Sequence, residues 1–203
     1  MTNIPVKLPT SIRSIYDTLK RDLVVDIGGS KVITQHIATQ IMKLRQIAGG
    51  AVLNEGVITN LHSKKIDELK LLIESFQGAP TLVGYHFKND LKVLTEAFGD
   101  LPSLKDPETI AQWNKGNIPI LPISPNASAH GLNLQFGGNK IVFYSLDWDA
   151  EKYQQTISRL RRLGQTKPVF VYHLLVDNTI DAIILKMLNS KERSQSEFIK
   201  LLK

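Results

Sequence analysis

Three side chains invite a chemical reading before any other. Gln155, Arg159 and Arg162 recur at i, i+4 and i+7 within a stretch, Asp149 to Gly164, that is punctuated as a helix. An acidic N-cap candidate opens it, Glu151 sits in its first turn, and a glycine closes it with Pro168 just beyond. Tyr153, Ile157 and Leu160 form a second row at the same spacing, displaced by two residues and hence by roughly 200° around the axis. One face is therefore apolar and built to dock, and the other presents an amide and two guanidiniums in line. A guanidinium is planar, stays charged at any working pH and donates paired hydrogen bonds, which suits an anion such as phosphate. The same pattern also serves a solvated helix face with arginines for solubility, and spacing alone does not choose between the two.

The elements that must hold these groups come from the rest of the chain. After Pro80, short runs rich in β-branched and aromatic residues alternate with helical periods. The runs are Thr81 to Phe87, Ile118 to Ile123, Lys140 to Tyr144 and Val169 to Val176, and helices are predicted at about 88–98, 150–163 and 178–189. Alternation of that kind gives an α/β fold, a parallel sheet covered by helices on both faces. Earlier in the chain, Ile12, Ile15, Tyr16 and Leu19, then Ile33, Ile37, Ile41 and Leu44, then Ile66, Leu69, Leu72, Ile73 and Phe76 carry helical periods. The expected organisation is a helical N-terminal segment over 1–78 followed by the α/β domain over 79–203. In open α/β sheets ligands bind beyond the carboxyl ends of the strands. The run Ser124-Pro125-Asn126-Ala127-Ser128-Ala129-His130-Gly131-Leu132-Asn133-Leu134-Gln135 follows such an end, and its small residues permit close backbone approach to a ligand.

Composition narrows the classes. The 203 residues hold 25 Lys and Arg against 19 Asp and Glu, a net charge of +6 that makes nucleic acid a plausible partner. With no cysteine there is no disulfide framework and no thiolate metal site. No apolar run reaches membrane-spanning length and no signal peptide is visible, so a soluble protein of the cytoplasm with no membrane partner is expected. The five histidines lack metal spacing, no metal site is expected, and His173, inside an apolar strand, reads as a core histidine. Asp67 and Glu68, among Lys64, Lys65 and Lys70, read as a solvated helix face.

At this point the residues carry a resemblance. Ser128 to Gln135, then Tyr153-Gln154-Gln155, Arg159, Arg162 and Gly164-Gln165, closed by Asn178-Thr179-Ile180-Asp181, resemble the second RecA-like lobe of a Swi/Snf-type ATPase of helicase superfamily two, phage-encoded members above all. Leu44 to Gly50 resembles the helical insertion preceding that lobe, Leu82 to Phe87 motif IV, Ser124 to Gln135 motif V and Gln155 to Gln165 motif VI. The resemblance implies a RecA-like parallel sheet flanked by helices. It implies that Arg159 and Arg162 reach the phosphates of ATP bound on a first lobe, with Gln155 helping to place them. It implies a role for Gly131, Asn133 and Gln165 at the nucleotide, and for Ser124, Asn126, His86 and Lys88 near the backbone of double-stranded DNA. The sequence departs from the family pattern at His130 and Ser158.

Half of the machinery is absent from this reading. An ATPase of the class needs a G-x-x-x-x-G-K-[ST] loop and an acidic magnesium ligand. Asp26-Ile27-Gly28-Gly29-Ser30-Lys31 lacks both the ending and the strand-to-helix placement, and reads as a turn. ATP and Mg would be held mainly by a first RecA-like lobe supplied in cis or trans, and by this chain alone not at all. Three expectations remain: the C-terminal lobe of a DNA-dependent, double-stranded-DNA-translocating ATPase; a non-catalytic DNA- or protein-binding regulatory module with the same fold; or an α/β domain with no nucleotide role.

Overall fold

The structure is a computed structural model that describes residues 1–22, 24–27, 30–33, 36–125 and 131–190. Its centre is a five-stranded sheet in which every neighbouring pair is parallel. The strands are β1 (Thr2–Val6), β6 (Thr81–Gly84), β7 (Ile120–Ile123), β8 (Lys140–Phe143) and β9 (Phe170–Val176), in the order β1-β9-β8-β6-β7. The interior strand β6, paired on both sides, is buried at all four positions, as a parallel strand covered on both faces must be, and its apolar run shows it. Gly84 ends it where no Cβ would fit, because one built there would stand 2.7 Å from the Phe143 ring.

Helices cover the sheet and tie its two halves together. They are α1 (Thr10–Asp22), α2 (Ile37–Gly49), α3 (Lys64–Ser75), α4 (Lys88–Phe98), α5 (Pro107–Asn114), α6 (Ala150–Ser158) and α7 (Ile180–Asn189). Two antiparallel hairpins lie before residue 61: β2 (Val24–Ile27) with β3 (Ser30–Ile33), and β4 (Ala51–Asn54) with β5 (Val57–Asn60). The second turns on Glu55 and Gly56, both at positive φ, the conformation that matches the twist of paired strands.

Residues 1–78 thus supply the expected helices and also strands that their periodicity does not announce. β1 pairs with β9 from Thr2↔Tyr172 to Val6↔Val176, and α3 packs on both strands, so the sheet continues through this N-terminal segment. The segment Asp26 to Lys31 spans the meeting of β2 and β3, with Ile27 opposite Ser30, which is not the strand-to-helix setting of a phosphate loop. Gly28 and Gly29 lie outside the described residues. Helix α5 is short. Asp106 caps it by accepting from the Glu108 N–H at 3.0 Å, Pro107 occupies its first turn, and Trp113 is buried with its indole N–H donating to Leu134 O at 2.8 Å.

Two expectations are corrected. Helix α6 ends at Ser158, five residues before the expected boundary at 163, so Arg162 does not continue a helical stripe with Gln155. The amide bonds show why: Arg159 N and Leu160 N reach back three residues to Thr156 O and Ile157 O, and Arg162 N bonds only to Leu160 O. Leu160 remains fully buried, so the chain turns over an anchored side chain and is redirected there. The second correction concerns Lys65. It is not on a solvated face but only 1% exposed, with its ammonium 2.6 Å from Asp181 Oδ2 and donating to Tyr144 O at 3.0 Å.

Candidate functional site

Helix α6 begins where Asp149 caps it, its carboxylate accepting from Glu151 N at 3.0 Å and Lys152 N at 3.1 Å. Its buried row, Tyr153, Thr156 and Ile157, fastens it to the molecule, and Tyr153 is tied to β9 by a 2.9 Å bond between its hydroxyl and His173 Nε2. On the outer side the Gln155 amide donates to Glu151 Oε1 at 2.9 Å, an i, i+4 bridge along the helix surface.

The turn after α6 gathers what the sequence separates by thirty residues. Arg162 Nη1 donates to Gly131 O and Leu132 O, both at 3.2 Å, and to Asn133 Oδ1 at 2.6 Å. Gly131 holds φ at +65°, the left-handed conformation that glycine tolerates best. Arg159 stands one turn back, half-buried, and its Nε is buried with no hydrogen-bond partner. Burial, and then the neighbouring Arg162 charge, press its pKa below the ordinary arginine value. Among the described residues neither guanidinium makes an ion pair with a carboxylate. Two cations held side by side without counter-charge are suited to an anion. Gln165 has a different setting: its amide nitrogen donates to Gln135 O at 2.8 Å and Gly138 O at 3.0 Å, and its Oε1 accepts from Lys167 N at 3.0 Å. It stitches the arginine turn to the segment entering β8.

A second group lies at the carboxyl ends of β6, β7 and β8. Ser124 follows β7 and shares a side-chain hydrogen bond with Tyr85, whose hydroxyl burial pushes to a higher pKa. His86 leaves β6 with its N–H donating to Ser145 Oγ at 2.8 Å and to Asp90 Oδ2 at 3.2 Å. The His86 ring Nδ1 stands 3.1 Å from Asp147 Oδ2, an ion pair when the ring is protonated. Burial works to raise the Asp147 pKa, but the hydrogen bond and charge of His86 together with the Arg45 charge outweigh it and hold the carboxyl at about 2. Lys88 is exposed at the start of α4. Asn126 and His130 lie outside the described residues. The structure therefore brings Arg162, Gly131 and Asn133 into contact with Arg159 beside them, leaves Gln155 and Gln165 in bonds of their own, and sets Ser124 and His86 just beyond strand ends and Lys88 at the start of α4.

Sequence reasoning missed the supports of this second group. Arg45, Asp90, Asp147 and Trp148 surround the exit of β8, and Lys65 with Asp181 lies behind it. The available signal was Arg45 itself, a charged residue inside the apolar period of Ile41, Leu44, Ile47 and Ala48. Among the described residues no three His, Asp or Glu side chains group to hold a metal, and no helix is long and apolar enough to cross a membrane.

Comparison with known proteins identifies the scaffold. The family model for the helicase conserved C-terminal domain matches residues 64–164. The chain carries a RecA-like helicase C-terminal domain. This helicase domain resembles SWI/SNF2-family ATPase lobes, and the match spans both β6 with its following turn and the arginine turn after α6. The chain is 36% identical over 208 residues to protein p41 of Acyrthosiphon pisum secondary endosymbiont phage 1, covering 98% of this chain and 45% of p41. It is 38% identical over 77 residues to the uncharacterized ATP-dependent helicase YqhH of Bacillus subtilis, covering 38% of this chain and 14% of that protein. Over 82 residues it is 38% identical to the human chromatin-remodeling ATPase INO80, covering 40% of this chain and 5% of that protein. The chain thus spans less than half the length of these relatives. Its fold matches the C-terminal part of the Fun30 ATPase domain with a TM-score of 0.72, at 17% identity, over 99% of this chain and 94% of that one.

Proposed function

We propose that this chain is the C-terminal lobe of a DNA-dependent ATPase that moves along double-stranded DNA, and that Arg159 and Arg162 are its arginine fingers. The observation that carries the reading is the pair of adjacent guanidiniums without carboxylate partners, one of them with its Nε buried and unbonded. Among the described residues the three side-chain bonds of Arg162 all use Nη1, so the Gly131 to Asn133 segment fixes the group and its other nitrogens would serve a ligand. Gln155 steadies the helix that delivers them. As charge spreads over a transferring phosphoryl group, a preorganised cation stabilises it without reorganisation. ATP and Mg would be held mainly by a first RecA-like lobe, in cis or in trans, and this chain would contribute the two cations from the far side of the cleft. Ser124, His86 and Lys88 would lie along the DNA backbone, and Asn126 is assigned there from its place in the sequence. The relatives named as helicases and remodeling ATPases support this reading by similarity.

The test supplies the first lobe, fused or as a separate chain, and measures DNA-stimulated ATP hydrolysis. Arg159→Ala and Arg162→Ala should each lower turnover by about 10³ or more, the scale of an arginine finger. Lysine at either position should rescue poorly, because an ammonium lacks the paired donors of the fork. Unchanged turnover in both alanine variants would remove the finger assignment. A loss of thermal stability in proportion to the loss of activity would make the arginines structural.

A further inference from the structure

Arg45 is 3% exposed, and nothing in the proposed chemistry uses it. Its guanidinium carbon lies 4.8 Å from the centroid of the Phe87 ring and 5.1 Å from that of Trp148, so the cation stands within cation–π range of two aromatic rings. Its Nη2 donates to Leu146 O. The charges of Asp147 and Asp90 face it, with Asp181 further off, while its Nε is buried without a partner. A buried guanidinium is costly to keep and would be a poor choice for filling space alone. Phe87 belongs to the turn entering α4, and Leu146 and Trp148 to the segment between the end of β8 at Phe143 and the N-cap of α6 at Asp149. Arg45 comes from α2, so one side chain fastens three separate parts of the chain. Lys65 of α3 donates to Tyr144 O, two residues earlier on the same segment.

We infer that Arg45 is a positioning residue that sets the path of residues 144–149, and with it the orientation of the half-exposed Trp148 ring and the point from which α6 carries Arg159 toward the nucleotide cleft. The inference concerning the cleft rests on the function proposed above; that concerning Trp148 does not. A lysine could reach Leu146 O but lacks the broad planar cation that contacts both rings at once.

The experiment uses the full chain in two readouts. The first is quenching of Trp148 fluorescence by acrylamide. Trp113, the other tryptophan, is fully buried, and a Trp148→Phe variant gives its share of the signal. Arg45→Met should raise the quenching constant of Trp148 above the wild-type value, because a ring no longer held against the cation is more open to collision, with far-UV circular dichroism unchanged. Arg45→Lys should restore only part of the protection. If Arg45→Met does not fold, Phe87→Leu, which removes one of the two aromatic contacts and leaves the charge, should give a rise of the same sign. The second readout is hydrolysis with a first lobe supplied, where Arg45→Lys should lower kcat and leave the KM for ATP unchanged. Wild-type quenching in a folded Arg45→Met, or full restoration by lysine, would overturn the positioning role. A wild-type assembly without turnover would count against the function, and the quenching would still decide the position of Trp148.

Discussion

His173 shows how a single side chain links the sheet to α6, the helix that precedes the arginine turn. It is 1% exposed, and its ring accepts from or donates to two neighbours, Tyr153 OH at 2.9 Å from Nε2 and Asn3 Oδ1 at 3.1 Å from Nδ1. A neutral ring protonated at Nδ1 satisfies both, donating to Asn3 and accepting from the tyrosine hydroxyl. Burial, helped by the nearby N-terminal amine, lowers its pKa from 6.5 to about 4, and burial likewise pushes the Tyr153 hydroxyl up to about 12. The folded pKa is below the unfolded one, so the unfolded chain binds the proton more readily and stability falls as the pH is lowered. The contribution is intact above pH 6.5 and is lost on the way down to about 4, on the order of 3 kcal/mol. Urea unfolding at a series of pH values should show this loss, and His173→Gln should flatten it. Parallel curves for the two proteins would assign the pH dependence elsewhere. The sequence reading of His173 as a core residue holds, because it lies inside an apolar strand and is buried there. The reading of Lys65 as solvated fails because its neighbours Lys64 and Asp67 are surface residues, and only the approach of α7 reveals an acid behind the helix.

Between elements, the Lys65–Asp181 pair is the clearest coupling of the N-terminal helices to the end of the chain. Its side chains are 1% and 5% exposed, and Asp181 Oδ2 also accepts from Val176 N at 3.1 Å, where β9 gives way to α7. Removing one member of a buried pair leaves the other uncompensated, so Lys65→Met should cost about 3–5 kcal/mol in urea unfolding. Asp181→Asn keeps an acceptor for Val176, and the double variant should lose clearly less than the two single losses added together. Additive losses would mean that the charges do not act as a pair. At this scale the sequence was legible where an element is long and periodic: α4 occupies 88–98 as expected, and β6, β7, β8 and β9 lie within the four apolar runs. It was not legible where tertiary contacts decide. The end of α6 depends on Leu160 being buried and Arg162 being drawn to Gly131, Leu132 and Asn133, contacts across thirty residues that no local period encodes. Strand β1 holds Pro5, which a reader of local propensity takes for a loop. It is tolerated because β1 is an edge strand with a neighbour on one side only.

For the whole molecule, the arrangement places the arginine turn, the strand-end residues and the supports from α2 and α3 on one scaffold, and it predicts what the isolated chain should do. On the function proposed above, in which a first lobe holds ATP and Mg, the chain alone should hydrolyse no ATP above background, with or without DNA. DNA-stimulated, magnesium-dependent turnover by the pure chain would reveal a site on it. Binding to DNA is the more demanding expectation. The net charge is +6, Lys88, Arg161, Arg162 and Lys167 are all exposed, and the function proposed above sets Ser124, His86 and Lys88 along the DNA backbone. Contacts of that kind neutralise phosphates and release condensed counterions, which carries affinity without sequence information. The isolated chain should therefore bind duplexes of unrelated sequence about equally and weakly. The logarithm of its affinity should fall linearly with the logarithm of salt concentration, with a slope of about −0.9 for each phosphate neutralised. Lys88→Ala should make that slope shallower by about one while weakening all duplexes alike, as expected of a phosphate contact. Titrations by fluorescence anisotropy at several salt concentrations decide the matter: tight binding indifferent to salt, or strong preference for one sequence, would show that this lobe reads DNA by contacts other than those along its strand ends.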